Sequence, residues 1–160
     1  MKILVLSDSH RDIRNMRKAV QIEKPDRILH LGDHYQDAMK LAAEFPKIPL
    51  DAVSGNCDYD RVRTEKLLLL EGHRIFMCHG HNHHVKSSYL SLQYAAQEKG
   101  ADIVLFGHTH MIFTSHHNHM HIMNPGSIGD PRTAAGPSYG LLFLEVGQVF
   151  LQTQFLNSMI

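Results

Sequence analysis

Ile3-Leu4-Val5-Leu6-Ser7-Asp8-Ser9-His10 decides how this chain is read. A short apolar run containing β-branched residues predicts a buried parallel strand, and it delivers a carboxylate and an imidazole, two apart, where the strand gives out into a loop. That placement suggests a metal site, which one Asp and one His cannot complete. The later chain offers partners four times. Leu31-Gly32-Asp33, Gly55-Asn56-Cys57-Asp58, Cys78-His79-Gly80-His81 and Gly107-His108-Thr109-His110 each follow a short apolar run and set Gly beside a residue able to ligate.

Outward from the first strand, Asp12 is placed to cap a helix whose apolar positions Ile13, Met16, Ala19 and Val20 keep helical spacing until Pro25. Arg27 to Leu31 reads as a second strand with Gly32-Asp33 at its exit. Asp37 to Phe45, rich in Ala, Leu and Met, reads as a helix closed by Pro46 and Pro49, and Leu50 to Val53 as a third strand. This βαβαβ rhythm predicts a parallel sheet with right-handed crossovers. From Thr64 the rhythm changes, because Lys66 to Leu70 and Arg74 to Cys78 are strands at hairpin spacing about Glu71-Gly72-His73. Ser88 to Lys99 is a third helix with Gly100 as its C-terminal cap. Ile103 to Phe106 returns as a strand, and further strands are expected at Met111 to Ser115, His119 to Met123, Tyr139 to Val146 and Gln148 to Phe155. The expectation is an α/β fold of two packed mixed sheets with helices outside, in a single domain spanning residues 1–160.

Composition narrows the function classes. A chain of 160 residues, 43% of them hydrophobic, suffices for one domain with a sizeable core. Its formal net charge of zero with histidines neutral gives no broad footprint for duplex nucleic acid or an anionic membrane. Fourteen histidines exceed what core packing uses and are available for ligation. Cys57 and Cys78 lack CxxC spacing and are expected to be reduced thiols, with Cys78 a buried strand residue. The apolar start is too short for a signal-peptide core and no stretch approaches a membrane span, so a cytoplasmic location is expected.

In an open α/β sheet the ligand crevice lies at the carboxyl ends of the strands, so the five clusters should converge. The inventory is Asp8, His10, Asp33, Asn56, His79, His108 and His110, an N/O donor set without thiolate. It suits a divalent transition metal, manganese above all, with iron, zinc, cobalt or nickel also compatible. Seven ligands exceed one ion. Two cations about 3.5–4 Å apart, bridged by a shared carboxylate, would use all of them and clamp a displacement at phosphorus.

These blocks, in this order, resemble the calcineurin-like metallophosphoesterases, in particular the compact single-domain phosphodiesterase branch of bacteria and archaea. Asn124-Pro125-Gly126-Ser127 is similar to a turn of that branch. The resemblance implies a four-layer α/β/β/α sandwich, one metal on Asp8, His10 and His110, another on Asn56, His79 and His108, and Asp33 bridging them. It further implies hydrolysis of a small or nucleotide-like phosphoester by a metal-bridging hydroxide attacking in line. Most members of the family place His after the Asn of the third block and use it near the leaving group, whereas the compact branch carries Cys there. Here the residue is Cys57, followed by Asp58, and a thiol with an ordinary pKa of about 8.5 is a poor stand-in for an imidazolium.

Asn56, Cys57, Asp58 and His81 are thus the candidates for catalytic work. Of His34, His81, His83 and His84, read as solvated loop residues, His81 is the best placed for a role, two residues after a candidate ligand. His117, His119 and His121 would share one exposed face of a hairpin by strand alternation, with His116 beside them. Arg11, Arg132 and Ser127 could meet a phosphate. The alternative function is a protein-interaction scaffold on a phosphoesterase fold, as in a retromer subunit similar to this branch. A full ligand set favours the enzyme, the absence of basic-aromatic interleaving disfavours a long nucleic acid, and homo-oligomerisation is left open.

Overall fold

The computed structural model describes residues 1–59 and 63–156. Its first sheet runs in the order β10-β9-β1-β2-β3, built from β1 (Lys2–Leu6), β2 (Arg27–His30), β3 (Leu50–Ala52), β9 (Ser138–Glu145) and β10 (Gln148–Phe155). β1, β2 and β3 pair in parallel through α1 (Ile13–Glu23) and α2 (Tyr35–Glu44), while β9 pairs antiparallel with β1 and β10. The second sheet runs β4-β5-β6-β8-β7, from β4 (Glu65–Leu70), β5 (His73–Cys78), β6 (Ile103–Leu105), β7 (Ile112–His117) and β8 (Met120–Pro125). Parallel β5–β6 and β6–β8 pairs sit between antiparallel edges, with α3 (Leu90–Glu98) entering between β5 and β6 in sequence.

Alternation along β1 explains the layering. Ile3 and Val5 point to one side and join Leu29, Leu31, Ile75, Met77, Ile103, Leu105 and Leu142 in a core between the sheets. Leu4 and Leu6 point to the other and meet Met16, Ala19, Val20 and Leu41 of the first two helices. On the far side of the second sheet, Phe76, Val104 and Phe106 pack against Leu92 and Ala96 of α3. The result is four layers, α/β/β/α, with two mixed sheets.

Two local expectations differ from the structure. α2 begins at Tyr35, two residues before the predicted Asp37, because its first free N–H is capped by Asp58 Oδ1 at 2.7 Å, a residue on another loop. The β7–β8 hairpin turns at Asn118-His119, both with positive φ (50° and 62°), as a two-residue turn matched to strand twist requires. This register sets His116 opposite His121 and His117 opposite Met120. His117, His119 and His121 therefore do not share one face; instead the His116 and His121 rings stack at 3.9 Å.

Candidate metal centre

Asp8 and His10 lie just past β1, Asp33 past β2, Asn56 past β3, His79 past β5, and His108 and His110 past β6. The carboxyl ends of these strands lie on one edge of the sandwich, so clusters far apart in sequence meet. Asp8, His10, Asp33 and His110 each turn a donor atom into one space, all within 4.8 Å of one another. His10 Nε2 is 3.3 Å from His110 Nε2 and 3.7 Å from Asp33 Oδ2. A second group adjoins it: His79 Nε2 lies 3.1 Å from Asn56 Oδ1 and 3.4 Å from Asp33 Oδ1. One carboxylate thus turns its two oxygens to two different imidazole groups. His108 stands beside the second group, its ring centroid 5.1 Å from that of His79.

The backbone bends to make this possible. Asp8, His10, Asp33, His108 and His110 all have positive φ, between 43° and 71°, each at a cost on the order of 1 kcal/mol for a residue with a Cβ. Five such residues around one space persist because the surrounding structure holds them there. Gly55 and Gly107 permit the close approach. A Cβ on Gly55 would lie 2.2 Å from Asp33 Oδ1, and one on Gly107 2.0 Å from Ser7 Oγ.

Ring orientation is fixed from behind. His79 Nδ1–H donates to Leu31 O at 2.8 Å and His110 Nδ1–H to Asp130 O at 2.6 Å, which leaves Nε2 of each as the free lone pair. Asp8 Oδ2 accepts from Ser7 Oγ at 2.6 Å and from the His108 N–H at 3.1 Å. Asp8 Oδ1, by contrast, is buried and has no hydrogen-bond partner, although it lies 3.2 Å from His110 Nε2 and 3.7 Å from His79 Nε2. A carboxylate oxygen left this way costs roughly 1–3 kcal/mol unless a cation meets it. The donors present fit divalent cations.

Charge states divide: against their burial, His79 is drawn upward by Asp33 and Asp8 and His110 by Asp8, the anions that a bound cation would answer in their place, whereas the carboxylates and His108 are already in ligating form. Burial acts to raise the Asp33 carboxyl, but its bonds to His79 and the Cys57 N–H hold it well below the usual range. Asp8 is likewise held low against its burial by His110, His79 and Ser7. Burial first, then His79 and Lys86, bring His108 down to about 4 and keep it neutral, as ligation requires.

Beneath these ligands lie braces of which the sequence pointed only to the Asn124–Ser127 turn, without its partners. The Gly32 N–H donates to His30 Nδ1 at 3.2 Å, so Nε2–H donates to Ser9 Oγ at 3.0 Å, and Ser9 Oγ–H donates to Asp37 Oδ2 at 2.8 Å. Fully buried His30, brought down to about 4 by burial, is the neutral tautomer this relay needs. Asn124 Nδ2 holds Gly107 O and Thr109 Oγ1, and Ser127 Oγ donates to Asp8 O at 2.7 Å. For Ser9, His30 and Asp37 the advance signal was no more than a polar residue within an apolar stretch.

Other sequence candidates divide. The Cys57 N–H donates to Asp33 Oδ1 at 3.0 Å, and the thiol is exposed beside Asn56. The His81 ring lies 5.5 Å from His79 and 6.1 Å from His108, at the rim. Both Asp58 oxygens are committed to backbone, Oδ1 to Tyr35 N–H and Oδ2 to Gly55 N–H. Ser127 faces backbone rather than solvent, Arg11 is exposed with its N–H on Asp37, and Arg132 is exposed near Asp130. No helix among the described residues is long and apolar enough to cross a membrane.

Comparison with known proteins identifies the family. Residues 1–147 match the model of the calcineurin-like phosphoesterase superfamily domain. A probable metallophosphoesterase from Bacillus subtilis is 36% identical over 149 residues, covering 91% of this chain and 85% of its own. A phosphodiesterase from Methanocaldococcus jannaschii is 26% identical over 165 residues, covering 91% and 94%. A crystal structure from Streptococcus pneumoniae, described as a predicted phosphoesterase, superposes with a TM-score of 0.83 at 25% identity over 98% of this chain and 90% of that one. The chain belongs to the calcineurin-like phosphoesterase superfamily, and divalent metal ions go with that family.

Proposed function

We propose that this protein is a dinuclear-metal phosphodiesterase acting on small or nucleotide-like esters. The observation that carries the reading is Asp33, whose carboxylate oxygens face His10 on one side and His79 on the other. Asp8, His10 and His110 would complete one cation's donors, and Asn56, His79 and His108 the other's. When bound, the two cations supply a nucleophile from water at neutral pH and neutralise charge on the phosphoryl oxygens. The chain's own residues do the rest. The backbone carbonyls of Leu31 and Asp130 aim the Nε2 lone pairs inward. The Cys57 N–H fixes the bridging carboxylate, and the Asp58 carboxylate holds the loop that carries Asn56. A binding scaffold would have no need to keep a buried carboxylate oxygen without a hydrogen-bond partner, facing two imidazoles amid strained backbone, which favours catalysis.

The test is hydrolysis of bis(p-nitrophenyl) phosphate with manganese, zinc, nickel, cobalt or iron supplied singly. Turnover that a chelator abolishes while the circular-dichroism spectrum persists supports the reading, since the three apolar clusters contain none of the proposed ligands. Absence of turnover on every diester with every metal would contradict it.

A further inference from the structure

Beside the proposed centre lies a cavity of about 590 Å³, lined by Val85, Lys86, Tyr89, His108, Met111, Phe113 and Arg132 among others. Its volume falls in the range of small-ligand sites, roughly 300–1,000 Å³. The cavity bounded by His116, His121, Phe143 and Phe150 is of similar size but holds none of the clustered donors. Here His108 forms part of the wall, so a phosphoester held at the centre would have one substituent inside this cavity.

The lining separates into two chemistries. Tyr89 and Phe113 pack with ring centroids 4.6 Å apart, Tyr89 also meets the tilted ring of Phe106 at 5.1 Å, and Val85 is buried. This is a rigid apolar and aromatic wall, the kind of surface on which a flat heterocycle stacks. Lys86 and Arg132 supply charge. Lys86 has no carboxylate partner among the described residues, and Arg132 approaches only Asp130, with Nη2 and Oδ2 3.9 Å apart. The reacting phosphoryl group is already answered by the centre itself. Lys86 and Arg132, from two different loops, line the same cavity as the aromatic rings and can meet a second phosphate there.

The geometry points to a substrate in which the group retained on phosphorus carries a flat ring and a second phosphate, as in a nucleoside bearing phosphates at both ends. This deepens the phosphodiesterase reading and rests on it. Tyr89 and Phe113 take the ring; Lys86 and Arg132 take the second phosphate.

Three esters with one leaving group test it on the manganese-loaded protein: methyl p-nitrophenyl phosphate, thymidine 5′-(p-nitrophenyl phosphate) and the same nucleotide ester carrying a 3′-phosphate. kcat/KM should rise along the series, the last step by about tenfold or more, the factor one good charge-assisted contact supplies. In the double variant Lys86→Met, Arg132→Met the ratio for that last step should fall to about threefold or less. Both positions are exposed, so the fold is not at stake. Binding of thymidine 3′,5′-bisphosphate, followed by calorimetry, should weaken by about tenfold in the same variant. A parent ratio near one, or a ratio the variant preserves, would overturn the inference. Should no ester be hydrolysed with manganese or with any of the other metals, the phosphodiesterase reading fails and calorimetry decides the pocket separately: equal affinity in parent and variant would overturn it.

Discussion

Cys57 stands beside the proposed ligand Asn56, and the proposed phosphodiesterase chemistry makes its thiol a candidate for controlling leaving-group departure. Partial burial of its sulfur, with the carboxylates of Asp33, Asp58 and Asp8 nearby, pushes the thiol up to about 11. It stays protonated at neutral pH but parts with its proton reluctantly, whereas a positioned acid is typically worth about 10²–10⁴-fold when an alkoxide must leave. A plot of log kcat against leaving-group pKa should therefore be steep, with aryl diesters good substrates and alkyl ones poor. Cys57→His should flatten it; equal slopes in the two proteins would assign the proton to another group, such as His81 at the rim. Ligand types were legible at this scale, because Asp, His and Asn recur beside Gly at strand ends. Ser7, Ser9, His30 and Asp37 were not, since their partners arrive from segments more than twenty residues away or, for Ser7, from a neighbour whose role only the fold defines.

Among the elements, the start of α2 shows what local sequence omits. Asp37 looked like the first residue of the helix, but the cap is Asp58, reaching across from the loop after β3 to Tyr35 N–H and also holding Gly55 N–H. Its loss should cost about 1 kcal/mol, the usual worth of a helix cap, read as a lower urea midpoint for Asp58→Ala with an unchanged m-value. Asp58→Asn should recover most of the loss, because an amide oxygen can still accept. Equal stability of parent and Asp58→Ala would contradict the capping role. The β7–β8 hairpin carries the same lesson, since strand alternation alone cannot count the residues that a turn consumes. Asn118 and His119 take both turn positions, and this pairs His116 with His121. Strand identity elsewhere was legible because β1 alternates between two cores, Ile3 and Val5 to one and Leu4 and Leu6 to the other.

The whole molecule depends on two sheets staying in register, and His73 ties them together. At the start of β5 it donates through Nδ1 to Asp102 Oδ2 at 2.7 Å and through Nε2 to Glu145 O, at the end of β9, at 3.0 Å. Both ring nitrogens can donate only in the imidazolium. Burial opposes that charge, but Asp102 and the Glu145 carbonyl outweigh it and raise the pKa above its usual value. A raised folded-state pKa makes the stabilisation complete below the unfolded value of about 6.5 and removes it as pH rises through the folded value. The difference in unfolding free energy between the parent and His73→Gln should thus be largest near pH 5.5 and shrink above neutrality. A difference constant across that range would mean that His73 acts by packing alone.

The same convergence of strand ends that gives the sandwich its shape gathers the donors, and the central claim is that they hold two cations shared through Asp33. Metal content per chain after equilibrium dialysis against manganese, measured by elemental analysis on the parent and on Asp33→Asn, tests this most directly. An amide cannot place negative charge between two cations, so the account predicts two ions in the parent and one or fewer in the variant. A single ion in the parent, or two ions retained by Asp33→Asn, would contradict it.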